Sequence, residues 1–200
     1  MKSIVQGTLL TAVIALAAGC NEAGTAPTNL TTSEQSGAAA AAAPAGPLQS
    51  FGFNGTASGF PPGAVFLTGG GTYDAATASN TVPSEATRVR ASGGFRCTGD
   101  VVQLPLLGCK EGEGVRWDTA QLLVSSGFKC SADDTPKTAF TGPDTVVLLA
   151  DFYLAGNGID ESFTSPMIVS NSDLAPGIPG EQNLWIKGVG CGTAVVNFSK

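Results

Sequence analysis

The sequence predicts an all-β domain: a single antiparallel β-barrel or barrel-like sheet of about eight strands, stapled by disulfides, with a β-sandwich as the alternative. Three observations lead there. From Phe51 onward, short apolar–polar alternations recur between turn signals, in a chain of 200 residues with 27 Gly and 12 Pro. No stretch carries the long 3.6-residue apolar period of an amphipathic helix. Glycines also fall inside the alternating runs, as at Gly69, Gly70 and Gly71 and at Gly93 and Gly94, where barrel corners and close backbone approach call for them.

Taken in order, Phe51 to Ser58 alternates and opens the sheet, and Gly59 to Gly63, with Pro61 and Pro62, is a turn. Ala64 to Tyr73 is the next strand and Asp74 to Ser84 a polar loop. Thr87 to Cys97 alternates, with Val89, Ala91, Phe95 and Cys97 on one face and Arg88, Arg90, Ser92 and Arg96 on the other. These arginines form the one basic stripe, expected to pair with neighbouring acids. A short strand is expected from Asp100 to Pro105 and Leu106. Val115 to Asp118 opens the following segment, 120–124 is expected to make a helical turn, and Phe128 and Cys130 resume a strand before a long polar loop from Ser131 to Asp144. Thr145 to Leu154 is apolar almost throughout and is expected at the centre of the sheet. Gly156, Asn157 and Gly158 turn the chain into a hairpin partner from Glu161 to Val169. After a loop from Asn171 to Gly180, Leu184 to Ile186 and Thr193 to Phe198 close the domain.

Cys97, Cys109, Cys130 and Cys191 all lie in the domain, and sequence permits three pairings among them. We expect Cys97 with Cys109, closing a short excursion, and Cys130 with Cys191, tying the last strand back. A metal site made of the four thiolates is disfavoured, because close CxxC pairs are missing.

The first residues read as an export signal, 1–19: Lys2 is its positive region, Leu9 to Ala18 its apolar run and Leu16 to Cys20 its processing site. The apolar run is shorter than the roughly 20 residues a permanent span requires. Leu16, Ala17, Ala18, Gly19 and Cys20 resemble the lipobox of bacterial lipoproteins. That resemblance implies a diacylglycerol on the Cys20 sulfur, cleavage before Cys20 and stable membrane anchoring by several acyl chains. Asn21 in place of Asp implies the outer membrane if the cell has one. Residues 20–50, rich in Thr, Ser, Gly, Pro and Ala, form a flexible tether of about 30 residues with a reach of roughly 30 Å. The barrel domain is 51–200.

Chemistry is constrained mainly by what is missing. The chain has no histidine, which removes the commonest general base and the usual histidine-activated nucleophiles. No catalytic residue and no cofactor is assigned, although Asp118, Asp151, Asp160 and Glu161 are the carboxylates an acid–base enzyme would use. Arg116, Trp117 and Asp118 are candidates for binding a polar ligand against the indole face; a core Trp beside a surface ion pair is the simpler reading. Asn157, Asp160 and Glu161 are weak calcium candidates without the spacing of an EF-hand loop. A formal net charge of −6 makes nucleic acid and anionic lipid headgroups poor partners.

Gly93 to Cys97, Gly114 to Asp118, Phe128 to Cys130, Ala150 to Phe152 and Gly188 to Ala194 together resemble a group of small exported bacterial proteins of unknown function. The resemblance implies export and assigns no residue a role. The expectation is a tethered, non-enzymatic domain that binds a small ligand or another envelope protein. A carboxylate-dependent enzyme with a barrel cavity and a purely structural envelope lipoprotein are the alternatives.

Overall fold

The computed structural model describes residues 46–60, 62–81, 87–154 and 162–200. In chain order the strands are β1 (Gln49–Ser58), β2 (Ala64–Tyr73), β3 (Val89–Gly99), β4 (Arg116–Leu122), β5 (Ser125–Phe128), β6 (Lys137–Phe140), β7 (Thr145–Tyr153), β8 (Ser162–Ser170), β9 (Leu184–Ile186) and β10 (Gly190–Ser199). Eight of them close into a barrel in the spatial order β1-β10-β9-β8-β7-β4-β3-β2, every neighbouring pair antiparallel, while β5 and β6 pair with each other. Pairing of β1 with both β2 and β10 leaves the barrel wall without an edge and settles the choice against a sandwich.

Alternation along each strand fills the interior. Phe51, Phe53, Leu67, Tyr73, Phe95, Trp117, Leu148, Phe152, Met167 and Ile186 belong to one continuous core, and burial of each large apolar side chain is worth about 1.5–3 kcal/mol relative to exposure. The rings interlock: Phe95 meets Phe152 edge-on at 5.1 Å, Phe152 stacks on Phe163 at 5.5 Å, and Phe53 lies 5.9 Å from Trp117. The inward glycines make room for the largest of them. A Cβ added at Gly69 would stand 2.5 Å from Trp117 Cζ2, and one at Gly93 2.7 Å from Trp117 Nε1.

A second, smaller core lies on the outside of the wall. Val147 on β7, Ile168 on β8, Trp185 on β9 and Cys191 on β10 point outward and are covered by Phe128 and Ala139 of the β5–β6 sheet and by Ala175. This cover accounts for the apolar run of β7, since a strand buried on both faces has no solvent face to mark with polar residues.

Two disulfides form, with the expected pairing. Cys97–Cys109 holds the 100–115 loop to one end of the barrel, where Val101, Leu106 and Cys109 are buried in the main core. Cys130–Cys191 joins the covering sheet to β10. The opposite end receives the chain: the Gly46 N–H donates to Asp74 Oδ2 at 2.7 Å, and Tyr73 Oη donates to the Gly142 carbonyl at 2.7 Å. Ordered strand therefore begins at Gln49, two residues before the expected start at Phe51.

Three local expectations are corrected. Segment 120–124 is not a helical turn; β4 runs to Leu122 with a register shift between Thr119 and Gln121. Trp117 and Leu122 thus both face inward five residues apart, and the extra residue disguises the strand period. Segment 100–106 is not a strand, because Val101 and Leu106 are spent on closing the barrel end rather than on a ladder. The polar stretch 131–144 contains β6, whose Ala139 faces the wall while Phe140 stays exposed.

Candidate functional site

Of the residues singled out for a ligand, Trp117 lies wholly inside. Its exposure is 0% and its Nε1 donates to the Thr68 carbonyl at 3.1 Å, so no face of the indole is open to a ligand from solvent. Arg116 and Asp118 stay on the outer surface as an exposed pair, Nε to Oδ2 at 3.6 Å, with the Arg116 guanidinium 4.8 Å above the Tyr153 ring. The structure separates the expected cluster because adjacent strand residues point to opposite faces.

Asp118 and Asp151 are register partners across β4 and β7. Both share the outward face with Arg116, opposite to inward Trp117 and Phe152. A hydrogen bond with Asp151 is the main reason the Tyr153 phenol is held above its ordinary range. Asp160 and Glu161, and with them the calcium candidates Asn157, Asp160 and Glu161, lie outside the described residues, as does Cys20. Among the described residues no three His, Cys, Asp or Glu side chains gather as a metal site, and no helix is long and apolar enough to cross a membrane.

The basic stripe behaves as expected at one position. Arg88 Nη1 lies 2.8 Å from Asp74 Oδ2, and Asp74 is the one buried acid among the described residues. Besides Arg88, it accepts from the N–H groups of Gly46 and Ala76. Arg90 and Arg96 are exposed on the outer face of β3.

The concave feature best supplied with recognition groups was not legible as a site. At the barrel end closed by the 100–115 loop, the tip of the β5–β6 sheet overhangs the outer wall and leaves an open groove of about 530 Å³. Trp185, 6% exposed, is its floor, and its Nε1 donates to the Lys129 carbonyl at 3.2 Å. Phe128, Pro136 and Pro166 wall it, Phe60 and Leu104 reach over it from the end loops, and Lys129 and Lys187 stand at the rim. Leu104 is 73% exposed and Phe60 37%. Five segments distant in sequence contribute, so no spacing announces the groove; the available signal was Phe60 and Leu104, large apolar residues in Pro-containing turns. Asp134, close to Lys129, is bridged to Lys137 at 2.7 Å, which holds its carboxyl below the usual range. The chain matches no family model, no curated protein and no solved structure.

Proposed function

We propose that this protein is an exported lipoprotein, anchored through Cys20 and carried on a tether, whose barrel is a non-enzymatic binding module of the cell envelope. The observation that carries the reading is the distribution of apolar surface. The barrel interior is filled by side chains, whereas Phe60 and Leu104 stay exposed around a groove floored by Trp185 at the end away from Gly46, where the chain enters. Apolar groups held in a concave surface are the usual material of recognition. Two disulfides within 200 residues fit an oxidising compartment, which supports export.

The test uses the full chain in its own cells. Wild type is expected in the membrane fraction, with Cys20→Ala released from it; equal fractionation of the two would sink the anchor. A photo-crosslinking residue at position 104 is expected to give a discrete envelope adduct, and one at Thr72, on the bare outer wall near the other end, none. Equal adducts at both positions, or none at either, would remove the binding reading.

A further inference from the structure

We infer that the groove over Trp185 takes an extended peptide segment of a partner protein that carries apolar anchors and acidic side chains. This rests on the proposed binding function and names the chemistry of its occupant. Apolar lining selects the anchors: Phe60, Leu104 and Phe128 converge on Trp185, and the floor is held rigid by the indole's bond to the Lys129 carbonyl and by the neighbouring Cys130–Cys191 bridge. A preformed aromatic floor costs little ordering on binding.

Charge selects the acids. In a chain of formal net charge −6, the groove is lined by two lysines and no acid. Lys129 Nζ donates to a neutral acceptor, the Ala132 carbonyl, at 2.9 Å. The acid beside it, Asp134, is bridged to Lys137, and none of the four ion pairs among the described residues includes Lys129 or Lys187. Both ammonium groups therefore remain for carboxylates at the rim, where charges steer partner choice. Openness selects a peptide over an acyl chain: the groove is open to solvent, and a hydrocarbon there would leave much of its surface in water.

The experiment titrates the purified full chain, in detergent, with two synthetic ten-residue peptides bearing the same Phe and Leu anchors, one with flanking Asp and one with flanking Lys. Trp185 is the reporter, since Trp117 is sealed in the barrel. The Asp peptide is expected to shift the Trp185 emission and to bind at least about tenfold tighter than the Lys peptide, with affinity falling as salt rises. Lys129→Glu with Lys187→Glu is expected to reverse the preference, and Arg90→Glu, on β3 towards the other end of the barrel, to leave it unchanged. Equal binding of the two peptides, binding of neither, or no reversal in the double variant overturns the inference. A position-104 adduct in cells containing lipid or a second copy of this chain also overturns it while leaving the binding function in place; an absent adduct with Asp-selective peptide binding would count against the cellular reading alone.

Discussion

Along β1, β2 and β3 the barrel wall meets water directly, whereas along β7, β8 and β9 the same kind of wall lies beneath a second layer. The bare half shows plain alternation: Thr68 and Thr72 on β2 and Arg90 and Arg96 on β3 face solvent, with Leu67, Tyr73, Ala91 and Phe95 behind them. On the covered half, Val146, Val147 and Leu148 are consecutive and all buried, and Met167, Ile168 and Val169 repeat the pattern. A strand's polarity pattern thus reports how many of its faces are dry. The groove lies on the covered half, between the β5–β6 layer, the wall at Trp185 and the end loops of Phe60 and Leu104.

The sharpest way to break this comparison is to place the same charge on the outer face of each half. Ile168→Asp puts an unpaired carboxylate under the cover and is expected to cost more than about 4 kcal/mol, whereas Thr72→Asp on the bare wall should stay within about 0.5 kcal/mol. Urea unfolding of the two variants measures both, and similar costs would mean that β8 has no second layer.

Removing the two bridges separately sharpens the comparison. Cys130–Cys191 spans 61 residues of sequence and Cys97–Cys109 spans 12. Restriction of the unfolded chain predicts a loss of about 4 kcal/mol for the paired Ser variants of the first and about 3 kcal/mol for those of the second. The first pair should also loosen the covering sheet, which hydrogen exchange at Ser126 to Phe128 would register; unchanged protection there would deny the bridge its role in holding the cover.

A smaller contrast lies between two glycines on neighbouring strands of the bare half. Gly69→Ala drives a methyl into the Trp117 ring and is expected to cost about 1–3 kcal/mol, since the Cβ would lie 2.5 Å from the indole. Gly52→Ala meets its nearest atom at 3.9 Å and is expected to be neutral or stabilising by about 0.5 kcal/mol. Equal thermal midpoints would show that the indole has room to shift.

The smallest effect is a pH dependence at the chain-receiving end. Burial, aided by the negative charge of Asp144, pushes the Tyr73 phenol up to about 12 from its ordinary 10.0. The unfolded chain releases this proton first, so stability is undiminished below pH 10 and declines progressively as pH rises from 10 to 12. Tyr73→Phe, which lacks the phenol, should abolish that component of the decline, and an unchanged alkaline profile in this variant would argue against it.

Much of the fold was legible in residues whose placement depends on local periodicity. Phe51, Phe53 and Phe95 alternate with polar or glycine neighbours and all face inward, and the run from Thr145 marked the doubly buried strand. The segments misread are those whose residues answer to distant partners. Leu122 obeys the inward face of β4 only after the extra residue at Ala120, and Leu106 is buried because a barrel end needed closing. The candidate site was the least legible part. Trp117 has the residue type of a ligand platform and the position of a core residue, and no neighbour in sequence distinguishes the two; its glycine pocket comes from Gly69 and Gly93 on other strands.

By itself the sequence determined the features that single segments carry in their own composition: strands punctuated by glycine, four half-cystines among those strands and loops, and no histidine to do acid–base chemistry. Only the tertiary structure decided which faces became dry. The cover over β7 to β9, the filling of the barrel and the groove between Phe60, Leu104 and Trp185 arise when surfaces far apart in the chain exclude water between them. That exclusion depends on the closed register of all eight barrel strands and on where the Cys130–Cys191 bridge pins the second layer.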